Sequence, residues 1–142
     1  IEKYVDGTFC LTYGDGLSNV NISELLQHHK KEKSIGTITA VQPPGRFGSL
    51  EINNNRVKSF QEKPKGDMNW INGGFFVFDK EIFNYIKDDS SILEKEPLEN
   101  LAKDGQLNAF KHHDFWYAMD TLREKNHLEQ LWKENKAPWK IW

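Results

Sequence analysis

Short apolar runs alternate along the chain with polar segments, and several of these runs have the composition of β-strands. Thr37–Val41 is rich in β-branched residues, and Phe75–Phe78 is continuously apolar, as in a strand that is covered on both faces. The asparagines at 53–55 tolerate a left-handed turn, so they predict a hairpin between Ser49–Ile52 and Arg56–Glu62. The remaining predicted strands are Phe9–Tyr13, Leu107–His112 and Trp116–Met119.

Two helices are predicted where a capping residue precedes apolar residues at helical spacing. Asn21 is followed by Glu24, and Thr121 by Glu124, which is the pattern of a capping residue with a reciprocal acid. The residues at helical spacing behind these caps are Ile22, Leu25, Leu26 and His29 in the first helix and Leu128, Leu131 and Trp132 in the second. We expect the second set to form a buried stripe.

Two shorter helices are predicted between these. Asp79 is placed to cap a short helix, and Pro97–Lys103 begins with a proline and is followed by Gly105, as helices often are. Strands that alternate with helices along a chain predict an α/β layered fold.

Composition and charge exclude several classes of protein. The 142 residues include 19 Lys and Arg and 21 Asp and Glu, so the formal charge is −2, without the basic excess of a nucleic-acid-binding protein. No apolar run approaches the ~20 residues of a membrane span, and the N-terminus lacks a signal-peptide pattern. The single Cys10 excludes an internal disulfide. We therefore expect a soluble, cytoplasmic globular unit.

Two aspartates each follow a predicted strand. Asp15 lies between two glycines directly after the first strand, and Asp120 follows Trp116–Met119. Ligands of open α/β sheets bind beyond the carboxyl ends of strands, and two carboxylates that converge there can hold Mg²⁺, which prefers oxygen ligands. Each residue also has a simpler interpretation, an Asp-Gly turn for Asp15 and a helix cap for Asp120.

Glu62 and Lys63 have side chains suited to a sugar phosphate. They directly precede Pro64, which ends the predicted strand and fixes its exit. A carboxylate accepts hydrogen bonds from sugar hydroxyls, and a lysine meets a phosphate as a point charge. The simpler interpretation is an exposed pair of opposite charges.

Asn72 is followed by two glycines, Gly73 and Gly74, before the buried strand. Glycines at such a position indicate close packing or the close approach of a ligand. The Asn72 amide can donate and accept hydrogen bonds toward a hydroxylated ligand. Gly48 is a similar, weaker case.

Other reactive residue types have simpler interpretations. The doublets His28-His29 and His112-His113 resemble metal ligands, but adjacent side chains point in different directions. Cys10 lies inside an apolar strand and is interpreted as a core residue. We interpret the tryptophan-rich C-terminal segment as a packing or subunit-contact element.

Taken in order, these segments resemble the sugar-phosphate nucleotidylyltransferase family, most specifically its cytidylyl branch. The resemblance rests on FCLTYGDG, TAVQPPGRFGSLEI, VKSFQEKPKGD, WINGGFFVF, EKEPLENLAKDGQL, FWYAMDTLREKNHLEQLW and KAPWKIW. It implies a Rossmann-like nucleotidyltransferase fold with a mixed central sheet flanked by helices. It also implies that the intact enzyme, a homo-oligomer with Mg²⁺ as cofactor, converts CTP and glucose 1-phosphate into CDP-glucose and diphosphate for lipopolysaccharide O-antigen biosynthesis.

The resemblance also implies roles for individual residues. Asp15 and Asp120 match the catalytic Mg²⁺ ligands of the family, and Gly14 matches a position whose backbone N–H binds the nucleotide. The positions that match sugar-phosphate-binding residues are Gly48, Glu62, Lys63, Asn72 and Gly73.

One departure from the family concerns its Gly-rich loop, which carries an Arg, is followed by a Lys and cradles the nucleotide phosphates. Residues 1–142 contain no such segment. We therefore expect residues 1–142 to be the C-terminal portion of a nucleotidyltransferase domain, its metal and sugar-phosphate half, with the N-terminal nucleotide-binding part missing and negligible activity alone. A non-catalytic sugar-phosphate-binding module and a structural or interaction unit remain alternatives.

Overall fold

A mixed four-stranded sheet forms the centre of the molecule. The computed structural model describes residues 1–43, 45, 48–62 and 69–141. The order of the strands in this sheet is β1 (Phe9–Thr12), β6 (Ile71–Phe78), β3 (Gly36–Val41) and β7 (Leu107–His112). β6 runs antiparallel to both β1 and β3, whereas β3 runs parallel to β7.

Two antiparallel ribbons lie outside this sheet. β2 (Gly16–Ser18) pairs with β8 (Trp116–Ala118), and β4 (Ser49–Asn53) pairs with β5 (Arg56–Gln61). Asn54 and Asn55 turn the β4–β5 hairpin with φ angles of 46° and 65°, which confirms the predicted left-handed turn. Both strands of this hairpin are exposed along their whole length.

Three α-helices follow the predicted capping signals closely: α1 (Ile22–Glu32), α2 (Glu96–Lys103) and α3 (Leu122–Lys133). The Asn21 side chain caps α1 by accepting hydrogen bonds from two backbone N–H groups of its first turn. Thr121 and Glu124 form the predicted capping box of α3. Across the described ranges, no helix has the length and apolarity that a bilayer-spanning segment needs.

Helices cover both faces of β6, which explains its continuous apolar run. On one face, Phe76 and Phe78 pack with residues of α2 and of the 3₁₀ helix Lys80–Tyr85. On the other face, Val77 is fully buried and pairs with Thr37, whose hydroxyl lies 2.9 Å from Nδ1 of His29 in α1. Adjacent residues of a strand point to opposite faces, so the burial of all three β6 residues confirms the prediction.

Three sequence-based expectations about side chains are wrong. Cys10 is exposed, because alternate residues of the edge strand β1 face away from the core. Trp132 is 47% exposed, so the buried stripe of α3 is limited to Leu128. Asp79 occupies the N-cap position of the 3₁₀ helix, but its carboxylate accepts a hydrogen bond from the Thr8 hydroxyl at 2.5 Å instead of capping the helix.

The C-terminal segment packs back onto the β2–β8 ribbon. Trp139 stacks on Phe115, with ring centroids 5.5 Å apart, and Tyr117 lies between Phe115 and His127 of α3. The packing interpretation is therefore confirmed for Trp139. Trp142 lies outside the described residues.

Candidate active site

Asp15 and Asp120 lie at the same end of the β2–β8 ribbon. β2 begins directly after Asp15, and Asp120 follows Met119, the residue after the end of β8. The backbone N–H of Met119 donates to the carbonyl oxygen of Asp15 at 2.8 Å, so the pairing of the ribbon continues to these residues. In this register Asp15 faces Met119, so Asp120 lies one residue beyond the position opposite Asp15. The ribbon therefore brings the backbones of two aspartates that are remote in sequence to the same end. Because adjacent residues of a strand point to opposite faces, this pairing fixes the position of the two backbones and not the direction of the two carboxylates.

The capping of α3 leaves the Asp120 carboxylate unused. The Thr121 hydroxyl accepts from the N–H of Glu124, and the Glu124 carboxylate accepts from the N–H groups of Asp120 and Thr121 at 3.0 and 2.8 Å. The interpretation of Asp120 as the helix cap is therefore wrong, because Thr121 takes that role. Only the backbone N–H of Asp120 takes part in the capping of α3.

Both carboxylates of the pair are exposed. Neither Asp15 nor Asp120 makes a side-chain hydrogen bond or an ion pair within the part of the chain that the structure describes. Mg²⁺ is typically held by one or two carboxylates and completes its shell with waters and substrate phosphates. Two exposed carboxylates at one end of the ribbon, without a hydrogen-bond or ion-pair partner among the described residues, fit such an open site. A closed cage is a poorer fit, since no group of three or more His, Cys, Asp and Glu is placed around a metal among the described residues.

Asn72 begins an irregular segment of β6. Between the pairs Ile38–Phe76 and Ala40–Asn72 the register shifts, so β6 bulges opposite β3. Bulges re-aim side chains and are common beside functional sites. The side-chain Oδ1 of Asn72 accepts a hydrogen bond from the backbone N–H of Gly74 at 2.8 Å.

The bulged segment lies against the residues that lead to both aspartates. The indole Nε1 of Trp116 in β8 donates to the carbonyl oxygen of Gly73 at 2.7 Å. The backbone N–H of Tyr13, two residues before Asp15, donates to the carbonyl oxygen of Gly74 at 2.9 Å. These bonds join the segment to the β2–β8 ribbon.

Close packing explains the two glycines of this segment. A Cβ on Gly73 would lie 2.8 Å from Cγ1 of Val41 and 3.0 Å from the carbonyl oxygen of Thr39. Gly74 has a φ of +75°, and a Cβ there would lie 2.8 Å from Cδ2 of the Tyr13 ring. Close packing, one of the two predicted reasons for these glycines, is therefore confirmed.

The Tyr13 hydroxyl connects this segment to the loop before α2. It donates to the Glu94 carboxylate and accepts from Nδ2 of Asn72 at 3.1 Å. Burial and the hydrogen bond to Glu94 raise the pKa of Tyr13 to about 12, and the nearby charge of Asp15 contributes in the same direction. The Tyr13 hydroxyl is therefore protonated at neutral pH.

Gly48 and Glu62 meet at the open end of the β4–β5 hairpin. A Cβ on Gly48 would lie 2.5 Å from Cε2 of Phe60 and 3.2 Å from Oε2 of Glu62. Lys63 lies outside the described residues. The predicted site residues thus fall into two groups, this hairpin pair and a cluster at the ribbon end.

We call that second group the ribbon-end cluster. Its members are Gly14, Asp15, Asn72, Gly73 and Asp120. Gly14 has open space around its Cα, with no atom within 4 Å of a Cβ placed there. Sequence reasoning missed Tyr13, Trp116 and Glu94 as neighbours of this cluster. For Tyr13 alone there was a local signal, its position directly before the Gly-Asp-Gly turn.

Known proteins resemble this chain over most or all of its length. The family model described as nucleotidyl transferase matches residues 1–129. The chain belongs to the nucleotidyl transferase family. It is 49% identical over 144 residues to the glucose-1-phosphate cytidylyltransferase of Salmonella typhimurium, covering 100% of this chain and 56% of that protein. It is 32% identical over 129 residues to the mannose-1-phosphate guanyltransferase of Aspergillus oryzae, covering 87% of this chain and 35% of that protein.

The fold also matches that of a solved structure. HddC from Yersinia pseudotuberculosis superposes with a TM-score of 0.63 at 22% identity, covering 89% of this chain and 56% of that chain. This likeness and the mixed sheet with helices on both faces confirm the predicted α/β fold. The chain spans about half the length of the Salmonella relative, at 56%.

Proposed function

We propose that this chain supplies the metal- and sugar-phosphate-binding half of a glucose-1-phosphate cytidylyltransferase. The intact enzyme would convert CTP and α-D-glucose 1-phosphate into CDP-glucose and diphosphate. The observation that carries the proposal is the position of Asp15 and Asp120 at the same end of the β2–β8 ribbon, beside the Asn72–Gly74 segment. The choice of CTP and glucose 1-phosphate rests on the Salmonella relative, which is similar along the whole chain.

The proposed reaction is an in-line displacement at the α-phosphorus of CTP. A phosphate oxygen of glucose 1-phosphate forms the new bond to this phosphorus, and the bond from the α-phosphorus to the diphosphate oxygen breaks. Such reactions are accelerated mainly by positioning of the reactants and by stabilisation of charge. Because no covalent intermediate is needed, the lack of a predicted nucleophilic side chain agrees with this chemistry.

Asp15 and Asp120 are the residues that would hold Mg²⁺. When bound, the ion supplies positive charge that reduces repulsion between the two anionic substrates. The exposure of both carboxylates leaves room for phosphate oxygens and water around them.

The neighbouring groups would bind the sugar phosphate and the nucleotide. After its two internal hydrogen bonds, the Asn72 amide retains one N–H and one oxygen lone pair for sugar hydroxyls. In the same proposal, Gly48, Glu62 and Lys63 complete the sugar-phosphate site. The backbone N–H of Gly14 would donate a hydrogen bond to the nucleotide.

The test is a titration of the chain with glucose 1-phosphate, with and without Mg²⁺. Binding is measured by calorimetry and by ³¹P NMR. We expect binding that is strengthened by Mg²⁺, and loss of this strengthening in Asp15→Asn and Asp120→Asn. Asp89→Asn is the matched control, because Asp89 is an exposed aspartate outside the ribbon-end cluster. Its affinity and Mg²⁺ dependence should equal those of the wild-type chain.

Other outcomes would contradict the proposal. If glucose 1-phosphate binds equally with and without Mg²⁺ and in both aspartate variants, the chain is a binding module without the proposed metal site. If neither glucose 1-phosphate nor Mg²⁺ binds, the interpretation as a structural or interaction unit is favoured. We further expect residues 1–142 alone to show negligible turnover of CTP, because they contain no Gly-rich loop for its phosphates.

A further inference from the structure

The Tyr13 hydroxyl lies where three parts of the chain meet. It belongs to the segment that leads from β1 to Asp15, it accepts from Asn72 in β6, and it donates to Glu94 in the loop before α2. The Tyr13 ring is held as well. Its centroid lies 5.4 Å from that of the buried Phe76.

The donors and acceptors of this hydrogen-bond network can be assigned in only one way. A carboxylate oxygen accepts hydrogen bonds, so the single hydroxyl hydrogen of Tyr13 is directed to Glu94. The hydroxyl can then only accept from Asn72, which requires Nδ2 on that side of the amide. On the other side, the N–H of Gly74 can only donate, which requires Oδ1.

The orientation of an asparagine amide is normally fixed by such partners, because its two ends have nearly the same shape. The partners of Asn72 agree with each other and exclude the flipped amide. One N–H and one lone pair therefore remain, in fixed directions, at the ribbon-end cluster. A site that offers fixed donors and acceptors to a hydroxylated ligand discriminates strongly against analogues that lack a matching hydroxyl.

We propose that Tyr13 and Glu94 are positioning residues that fix the Asn72 amide and so set the hydrogen-bond pattern with which the site recognises the sugar. This inference rests on the proposed function only for the identity of the ligand. The role of Tyr13 and Glu94 in orienting Asn72 stands on the contacts alone. Neither residue needs to touch the substrate.

The first experiment needs no ligand. In the ¹⁵N-labelled chain, the two Nδ2 protons of Asn72, assigned through Asn72→Asp, should give well-separated signals that exchange slowly with water. In Tyr13→Phe we expect these signals to move toward those of an exposed asparagine, with faster exchange. Tyr85→Phe is the matched control, because it removes another tyrosine–carboxylate hydrogen bond, the one from Tyr85 to Asp104 at 2.9 Å. It should leave the Asn72 signals unchanged.

Glu94 variants separate loss of the acceptor from loss of charge. Glu94→Gln keeps an oxygen that can accept from Tyr13, so it should keep the Asn72 signals of the wild-type chain. Glu94→Ala removes the acceptor and should shift them, although Tyr13 is intact. If Tyr13→Phe does not fold, Glu94→Ala gives the same test without changing the ring that packs on Phe76.

The second experiment measures affinity for glucose 1-phosphate in the presence of Mg²⁺. Tyr13→Phe and Glu94→Ala should each weaken binding by about three- to tenfold, the range expected for one hydrogen bond. Glu94→Gln and Tyr85→Phe should bind like the wild-type chain. Affinity for 2-deoxyglucose 1-phosphate and other deoxy analogues should fall less in Tyr13→Phe, because discrimination is reduced.

Each outcome decides one part of the inference. Unchanged Asn72 signals in both Tyr13→Phe and Glu94→Ala overturn the positioning role. Shifted signals with unchanged affinity and unchanged discrimination overturn the link to sugar recognition. If the wild-type chain binds no sugar phosphate, the proposed function fails, and the NMR signals still decide whether Tyr13 and Glu94 orient Asn72.

Discussion

Replacing Gly74 with alanine tests the contact between the bulged segment of β6 and Tyr13. Gly74 has a φ of +75°, which costs an L-residue about 1–2 kcal/mol. The new Cβ would also lie 2.8 Å from Cδ2, 3.2 Å from Cγ and 3.3 Å from Cβ of Tyr13. These atoms are at the base of the side chain, so the ring cannot simply rotate away. Overpacking of this kind costs about 1–3 kcal/mol.

Gly105→Ala is the matched control for the backbone strain. Gly105 has a similar φ of +67°, but no atom lies within 4 Å of a Cβ placed there. We therefore expect Gly105→Ala to lower the free energy of unfolding by about 1–2 kcal/mol and Gly74→Ala by about 2–5 kcal/mol. The difference between the two variants measures the contact with Tyr13.

The assay is urea unfolding at equilibrium, followed by the fluorescence of the five tryptophans. If the free energy of unfolding falls with urea concentration at the same rate in both variants, neither substitution has changed the surface that unfolding exposes. The two losses of stability can then be compared directly. Equal losses of stability in Gly74→Ala and Gly105→Ala would refute the reasoning. In that case Tyr13 does not pack against the bulge as described.

Two further predictions concern α3 and the Tyr13 hydroxyl. Thr121→Ala removes the capping box and should lower the free energy of unfolding by about 0.5–2 kcal/mol; an unchanged urea midpoint would contradict the cap. The pKa of Tyr13 is raised to about 12 in the folded chain, above an unfolded value of about 10. Its contribution to stability is therefore complete below pH ~10 and is lost as the pH rises toward 12. Tyrosinate absorbance should show a late-titrating group that Tyr13→Phe removes; the same titration curve in both chains would contradict this prediction.

Local signals in the sequence determined most of the secondary structure. Asn21 caps α1 and Thr121 caps α3 because each bonds to N–H groups only two or three residues away. The asparagine turn of the β4–β5 hairpin is equally local, since it needs only left-handed backbone angles at Asn54 and Asn55. β2 was missed because a strand of three residues that begins with glycine has too little composition to identify it.

The burial of individual side chains was harder to predict, because it depends on what covers each face of a strand or helix. Phe75–Phe78 was interpreted correctly, since only a strand covered on both sides is apolar at every position. Cys10 and Trp132 were interpreted wrongly, although both stand among apolar residues. Periodicity indicates which residues share a face, but only the packing of other elements decides whether that face is buried.

The sequence by itself determined the α/β class, the caps and turns, and the residue types that could bind a metal and a sugar phosphate. Only the tertiary structure decided that Asp15 and Asp120 lie at the same end of one ribbon, because the pairing of β2 with β8 joins segments from opposite parts of the chain. It also decided that the Tyr13 hydroxyl meets both Asn72 and Glu94. The physical reason is that hydrogen bonds between remote segments follow from strand order and register, which no local pattern specifies.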